Sequence, residues 1–406
     1  MLEIERTDQV YKNMRSPSFI RAYYRMKTLS MIKGNEIEGS TPPDLFVGSY
    51  GYPNVFVGPL VPPQYGDTTI LGTPESWPGK DMEEIVKFRS LLVRGMHRTN
   101  VFNPDRGKIE EMLTELAISD KYVYADAKFS RPPIMKPVFD DVTQPFGPSA
   151  PIESFSIGSA HANKDIENAY HDTDATATES ILELYKKGVL VSKIQKALSA
   201  GTLGLGKRRK YVPTRWSITA VDDTVSKANL ANVKSYGYID SIRVYENEAL
   251  DNRWIVLMLP MAWNYELIEA WYPKTVWNVA GEKVAIYSSH EFFEGRKDYA
   301  EIGGCYYAAR LAVSEFLEKI GRQAAVVIMR EAHEGYTMPV GVWNVREHVR
   351  AALRNKPIVF DDMSEVARHV DAKMMIKFRI WLQNSKVLTN LYSQRRLGIG
   401  YSFNVT

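Results

Sequence analysis

Only one cysteine, Cys305, occurs among the 406 residues. That excludes an intramolecular disulfide and any cysteine-based zinc centre, because zinc needs several thiolates or imidazoles. A reducing cytosol fits this usage. Long apolar runs are missing as well: no stretch approaches the roughly 20 apolar residues that span a bilayer. The start, MLEIERTDQVYKNMRSPSF, is charged throughout and has no apolar signal segment, so a cytoplasmic protein without a membrane partner is expected. An excess of one charge is also lacking, since 51 Lys and Arg stand against 48 Asp and Glu, a formal net charge of +3. A polybasic protein is thereby excluded, and any nucleic-acid contact must come from local clustering. Solenoid repeats and low-complexity tracts are absent too.

What is present is enough apolar residue, 45% of the chain, to bury a sizeable core, in a length that suggests more than one domain. Residues 17 to 33 have helical apolar spacing with Ser16 as a cap. The Pro- and Gly-dense segment 40 to 80 holds one evident strand, NVFVGPLV, and helices are expected near 82 to 95 and 108 to 118. Residues 131 to 168 are rich in proline and read as a boundary or a long ordered loop. Thr176 and Glu179 fit a capping box, opening a helix that stops at Gly188, and a second helix ends at Gly201. Beyond it, YIDSIRVY, RWIVLMLP, YELIEAWY and KVAIYSS alternate as strands of an antiparallel sheet. A helix over GGCYYAARLAVSEFLEKIG, strands at AAVVIMRE and MPVGVWNV, a helix over VREHVRAALRN and one long helix from Ser364 to about residue 392 complete the pattern. The expected class is therefore mixed α/β (α+β): a largely antiparallel or mixed sheet packed with helices in the C-terminal half, and a helical, Pro/Gly-rich N-terminal part. The expected divisions are 1–150, 151–392 and a tail, 393–406.

Three stretches could carry chemistry. GTLGLGKR, residues 201 to 208, matches a phosphate loop up to its lysine, but Arg208 stands where Ser or Thr should ligand magnesium, and the segment follows a helix rather than a strand. Its charge remains of interest. Lys207, Arg208, Arg209 and Lys210 adjoin Gly-rich backbone, with Arg215 and Trp216 just beyond, and cations with an aromatic suit phosphates and a base. The duller alternative is a solvated loop. Next, His171, Asp172 and Asp174, with His161 upstream, could hold a divalent metal and activate water, although Thr176 and the acidic residues are already accounted for by helix capping. Finally, Arg330, Glu331 and His333 leave the end of a buried strand, either as a catalytic group or as an ion pair. Trp263, Trp271, Trp277 and Trp343 read as core or sheet aromatics.

At VGSYGYPNVFVGPLVPP, LLVRGMHR, SIGSAHANKDIENAYHDTDATA and GKRRKYVPTRWSITAVDDTVS the chain resembles the archaeal Nre family of DNA-repair proteins, over nearly its whole length. The resemblance implies a role in recovery from DNA damage, with DNA as a partner and, in some members, the sliding clamp PCNA bound through a C-terminal peptide. Many relatives carry an N-terminal cysteine cluster, absent here. The tail QRRLGIGYSFNVT matches the clamp peptide at Gln394, Leu397 and Tyr401, has Gly400 at the first aromatic position, and offers Phe403 as a further anchor. We expect a protein that binds damaged or branched DNA. The alternatives are a metal-dependent hydrolase of nucleic acid or nucleotide, using His171, Asp172 and Asp174 with Arg215 on a phosphate, and a non-enzymatic adaptor.

Overall fold

The structure, a computed structural model, describes residues 32, 34–104, 107–134, 142–143, 147–275, 277–278, 280–336 and 338–395, without the side chains of 392, 394 and 395. The expected helix over 17 to 33 lies almost wholly outside these residues. The described residues divide into two compact units, one ending at Val225 and one beginning at Ser226.

The first unit is built on β1 (Glu36–Thr41), β2 (Leu45–Val47), β3 (Asn54–Val61), β4 (Val93–Asn100), β5 (Val123–Phe129) and β6 (Ser149–Ile157). They form one sheet in the order β1-β5-β6-β4-β3-β2, antiparallel except for β4 beside β6. One strand is evident from the sequence; six are present among the described residues. Two glycines within the strands are packing requirements: a Cβ on Gly58 would lie 2.0 Å from the Gly95 carbonyl, and one on Gly95 would meet the Ile152 side chain at 2.0 Å. The inward face buries Val55, Val57, Val93, Ala125, Ala127 and Phe129 with Leu113 and Ala117.

Helices α1 (Met82–Ser90) and α2 (Lys108–Ile118) are where the spacing puts them, but α1 ends at Ser90, so residues 93 to 95 belong to β4. Within 131 to 168, expected to be irregular, lie β6 and α3 (Lys164–His171). Pro151 fits at the irregular end of the β5–β6 pairing, where its own carbonyl accepts the Ser130 N–H at 3.0 Å. Then come α4 (Ala177–Lys186) and α5 (Val191–Ser199), closed by Gly188 and Gly201 in the left-handed region, φ +80° and +73°. The basic segment stops sooner than expected, because α6 (Thr214–Val233) starts at Thr214 and carries Arg215 and Trp216 on its first turn.

The second unit holds β7 (Ile242–Ala249), β8 (Asn252–Leu259), β9 (Asn264–Trp271), β10 (Ala285–Glu291), α7 (Gly304–Ile320), β11 (Ala325–Ala332), α8 (Trp343–Arg354) and β12 (Ile358–Phe360). The sheet order is β10-β9-β11-β8-β7-β12, with β9 and β11 parallel and the other pairs antiparallel. The segment MPVGVWNV forms no strand: Gly341, φ +93°, turns the chain directly into α8. The expected long terminal helix is three, α9 (Met363–Lys373), α10 (Phe378–Asn384) and α11 (Lys386–Arg395), with Asp362 as the first cap. Neither break has a proline or glycine. Carboxylates from the sheet make them: Glu331 accepts the Met375 and Ile376 N–H groups, and Glu266 accepts those of Lys386 and Val387 and the Ser385 hydroxyl.

Alternation gives this sheet two distinct faces. One buries Ile255, Leu257, Val327 and Met329 against Met363, Val366, Phe378 and Trp381. On the other, Glu269, Arg330, Trp254 and Asn247 stand opposite one another across four neighbouring strands, where α8 packs on β7 and β8. The fold class is thus mixed α/β as expected. Among the described residues no helix is long and apolar enough to cross a membrane.

Candidate nucleic-acid interface

The polar stretch before α4 explains itself locally. Thr176 Oγ1 accepts the Glu179 N–H at 3.2 Å while Glu179 accepts the Thr176 N–H at 2.8 Å, a complete capping box. Asp172 Oδ1 accepts the N–H groups of Asp174 and Ala175, both at 3.0 Å, and closes the turn between α3 and α4. His171, Asp172 and Asp174 are all exposed, and the His171 ring lies edge-on to Tyr170 at 5.3 Å. Among the described residues no group of three or more His, Cys, Asp or Glu side chains could hold a metal ion.

The basic segment is brought against this turn, as Gly206 N–H donates to Thr173 O at 2.9 Å. Arg209 makes the second tie. Its guanidinium donates to Gly204 O (2.8 Å), Tyr170 O (2.6 Å), Asp172 O (2.7 Å) and Ala169 O (3.4 Å), with Cζ 5.1 Å from the Tyr170 ring centre. A cation on the orphan carbonyls at a helix C-terminus is favoured by the macrodipole. Partial burial lowers its pKa, against the opposing pull of Tyr170 and Asp172. Arg209 is therefore a clamp for the end of α3, distinct from its neighbours. Lys207, Arg208 and Lys210 are exposed, and among the described residues none of the three has an ion-pair partner.

Lys210 leads to the end of the sheet where β3 begins and β4 finishes. Tyr211 N–H donates to Val101 O (2.8 Å), and Val101 N–H donates to Pro53 O (2.9 Å). Val47 N–H donates to Thr214 Oγ1 at 2.9 Å, which fixes the start of α6 against β2. Four large rings are left at this end in contact with water: Tyr50 (92% exposed), Phe102 (58%), Trp216 (47%) and Tyr52 (41%). Tyr52 and Trp216 are neighbours, 5.3 Å between centroids and tilted by 50°, and Lys210 Nζ stands 5.7 Å from the centre of the Phe102 ring. Exposed Arg98, above Phe56 at 5.9 Å, adds a cation on the adjoining strand pair. Arg215, also on the first turn of α6, is half-buried.

Sequence reasoning finds Trp216 and the lysines but misses Tyr50, Tyr52, Phe102 and Arg98. The available signal is the pair of tyrosines in GSYGYPN, large rings placed at the tip of a turn rather than on an apolar face. In the second unit Arg330 does not converge with Glu331 and His333. Arg330 points to one face, donating to Glu269 Oε1 (2.5 Å) and Asn252 Oδ1 (2.8 Å) between the rings of Trp254, Trp271 and Tyr336. Glu331 points to the opposite face, to the start of α10, and His333 stacks on Tyr272 at 4.6 Å with Nε2 3.2 Å from Glu331 Oε2. Leu397, Tyr401, Phe403 and the side chain of Gln394 lie outside the described residues.

A family model described as "Archaeal Nre, N-terminal" matches residues 12–278, and one described as "Archaeal Nre, C-terminal" matches residues 291–399. The chain belongs to the archaeal Nre family. It is 43% identical over 354 residues to the DNA repair protein NreB of Archaeoglobus fulgidus, covering 87% of this chain and 89% of that one. It is 37% identical over 347 residues to DNA repair protein NreA of the same organism, covering 82% and 85%. With DNA repair protein NreA of Haloferax volcanii it shares 34% over 350 residues, covering 84% and 83%. No solved structure matches. The family resemblance seen in the sequence is borne out, and the candidate interface lies within the N-terminal family match.

Proposed function

We propose that this member of the Nre family acts in DNA repair by binding DNA through the surface formed by Lys207, Arg208, Lys210 and Arg98 with Trp216, Tyr52 and Phe102. The observation that carries it is the company the cations keep: they are exposed and lack ion-pair partners among the described residues, and Lys210 stands beside the exposed Phe102 ring, whereas Arg209 in the same run is consumed by carbonyls. Cations held free at a surface neutralise phosphates and release counterions, a sequence-independent source of affinity. The names of the relatives, each a DNA repair protein, support the same direction.

The test replaces Lys207, Arg208 and Lys210 by alanine together and follows DNA affinity against salt. Binding should weaken alike for all sequences, and the slope of log K against log salt should flatten by about 0.9 for each duplex phosphate that is no longer neutralised. The melting temperature should stay nearly unchanged, because these side chains are exposed and none holds an ion pair among the described residues. Affinity and slope equal to the wild type would refute the assignment.

A further inference from the structure

We infer that this surface takes unpaired bases, so that its DNA ligand is single-stranded or locally opened; the inference rests on the proposed DNA binding and adds the form of DNA bound. Charges alone would serve a duplex, whose phosphates line its outside. The rings would not, because in a duplex the flat faces of the bases are covered by one another. Yet four large aromatics are kept in water at one end of the first sheet, where their apolar faces lose the burial they would have in a core. Their geometry leaves those faces available. Tyr52 and Trp216 are tilted by 50° rather than stacked, so neither ring is covered flat by the other. Their mounting is also firm: Pro53, Val101 and Tyr211 are tied by backbone hydrogen bonds, and Thr214 is tied to Val47. Rings on a fixed frame lose little freedom when a base settles on them.

A strand whose bases lie on those rings would meet cations in the adjoining chain. Lys210 stands over Phe102, and Arg208 and Lys207 continue along the same loop. Exposed rings with cations in the adjoining chain are the means by which single strands are held without reading sequence, since every base has a π-face and every nucleotide a phosphate. Asp172 and Asp174 lie in the adjoining turn, and the Asp172 carboxylate is engaged by the N–H groups of that turn.

The full chain is titrated into a fluorescently labelled oligothymidylate of about 20 nucleotides, long enough to exceed a typical single-strand site. A duplex and an oligouridylate of equal length are run at the same salt. The single DNA strand should bind about tenfold more tightly than the duplex. Trp216→Ala and Phe102→Ser should each weaken single-strand binding about tenfold, the loss of one stacked base, with duplex binding within about twofold of wild type. Trp216→Phe should restore most of the loss, which separates stacking from damage to the fold. Equal affinity for both DNA forms, untouched by the ring variants, would overturn this inference while leaving DNA binding by the cations intact. Tighter binding of the uridylate would overturn it in favour of RNA. Indifference of every oligonucleotide to both the cation and the ring variants would remove the DNA-binding proposal as well.

Discussion

Two of the places where cations and aromatic rings meet in this protein work to opposite effect. In the second unit Arg330 is 1% exposed, paired with Glu269 and enclosed by Trp254, Trp271 and Tyr336. In the first, Lys210 beside Phe102 and the Tyr52–Trp216 pair are open to water, with no counter-charge on the lysine among the described residues. The residue types are alike; burial and the presence of a carboxylate decide which set holds the fold and which is left to meet a ligand. A buried ion pair broken on one side leaves an uncompensated charge, whereas an exposed cation removed leaves only water behind.

The largest effect that would sharpen this contrast is expected for Glu269→Gln. It strands the Arg330 guanidinium in the core and should cost about 3 to 5 kcal/mol of stability, read by urea denaturation. A loss no larger than that of the Lys207, Arg208 and Lys210 triple variant would erase the distinction between the two clusters.

A second, somewhat smaller effect is set by pH. His348 faces the Arg330 cluster and receives a hydrogen bond from Asn247 at 3.2 Å. Burial first, then the charges of Arg330 and Arg354, lowers its pKa from 6.5 to about 4. Folded protein therefore resists protonation that the unfolded chain accepts. This contribution is complete above about pH 6.5 and is lost as the pH falls towards 4, on the order of 3 kcal/mol in all. His348→Gln should flatten the stability profile across that window, and an unaltered profile would count against the assignment.

The smallest effect belongs to the exposed turn of the first unit. Thr176→Ala should cost about 1 kcal/mol through loss of the cap, while His171→Ala should leave the melting temperature where it was. If His171→Ala abolished repair in cells with no change in stability, the turn would be doing more than ending one helix and starting the next.

The second sheet is legible in the sequence because β8 and β11 hold runs of Val, Ile, Leu and Met and β9 sets Leu, Ile, Ala and Trp around two glutamates, a mostly apolar pattern that burial on both faces demands. The first sheet is not, because Gly95 reads as the end of a helix and Pro151 as part of a proline-rich loop until their neighbours across the sheet are known. The capping box at Thr176 is legible since its partners lie three residues apart. The interface is half legible. Lys207 to Lys210 are contiguous in the chain and announce a charge cluster, but nothing in the sequence separates Arg209 from its neighbours. That distinction depends on carbonyls at 169, 170 and 172, and the Tyr52–Trp216 contact joins residues 164 positions apart. The breaks between α9, α10 and α11 are invisible for the same reason, being made by carboxylates on strands 44 or more positions away.

Those carboxylates have one more consequence. Glu266 and Glu331 lie on neighbouring parallel strands and point to the same side, each occupied by the opening of a helix. Were either strand to slip by a single residue, its carboxylate would swing to the far side, and a helix start would lose its acceptor just as Arg330 or Glu269 was driven among apolar side chains. The last two helices thus serve as a proofreading gauge for the sheet, seating fully only on strands whose alignment is correct.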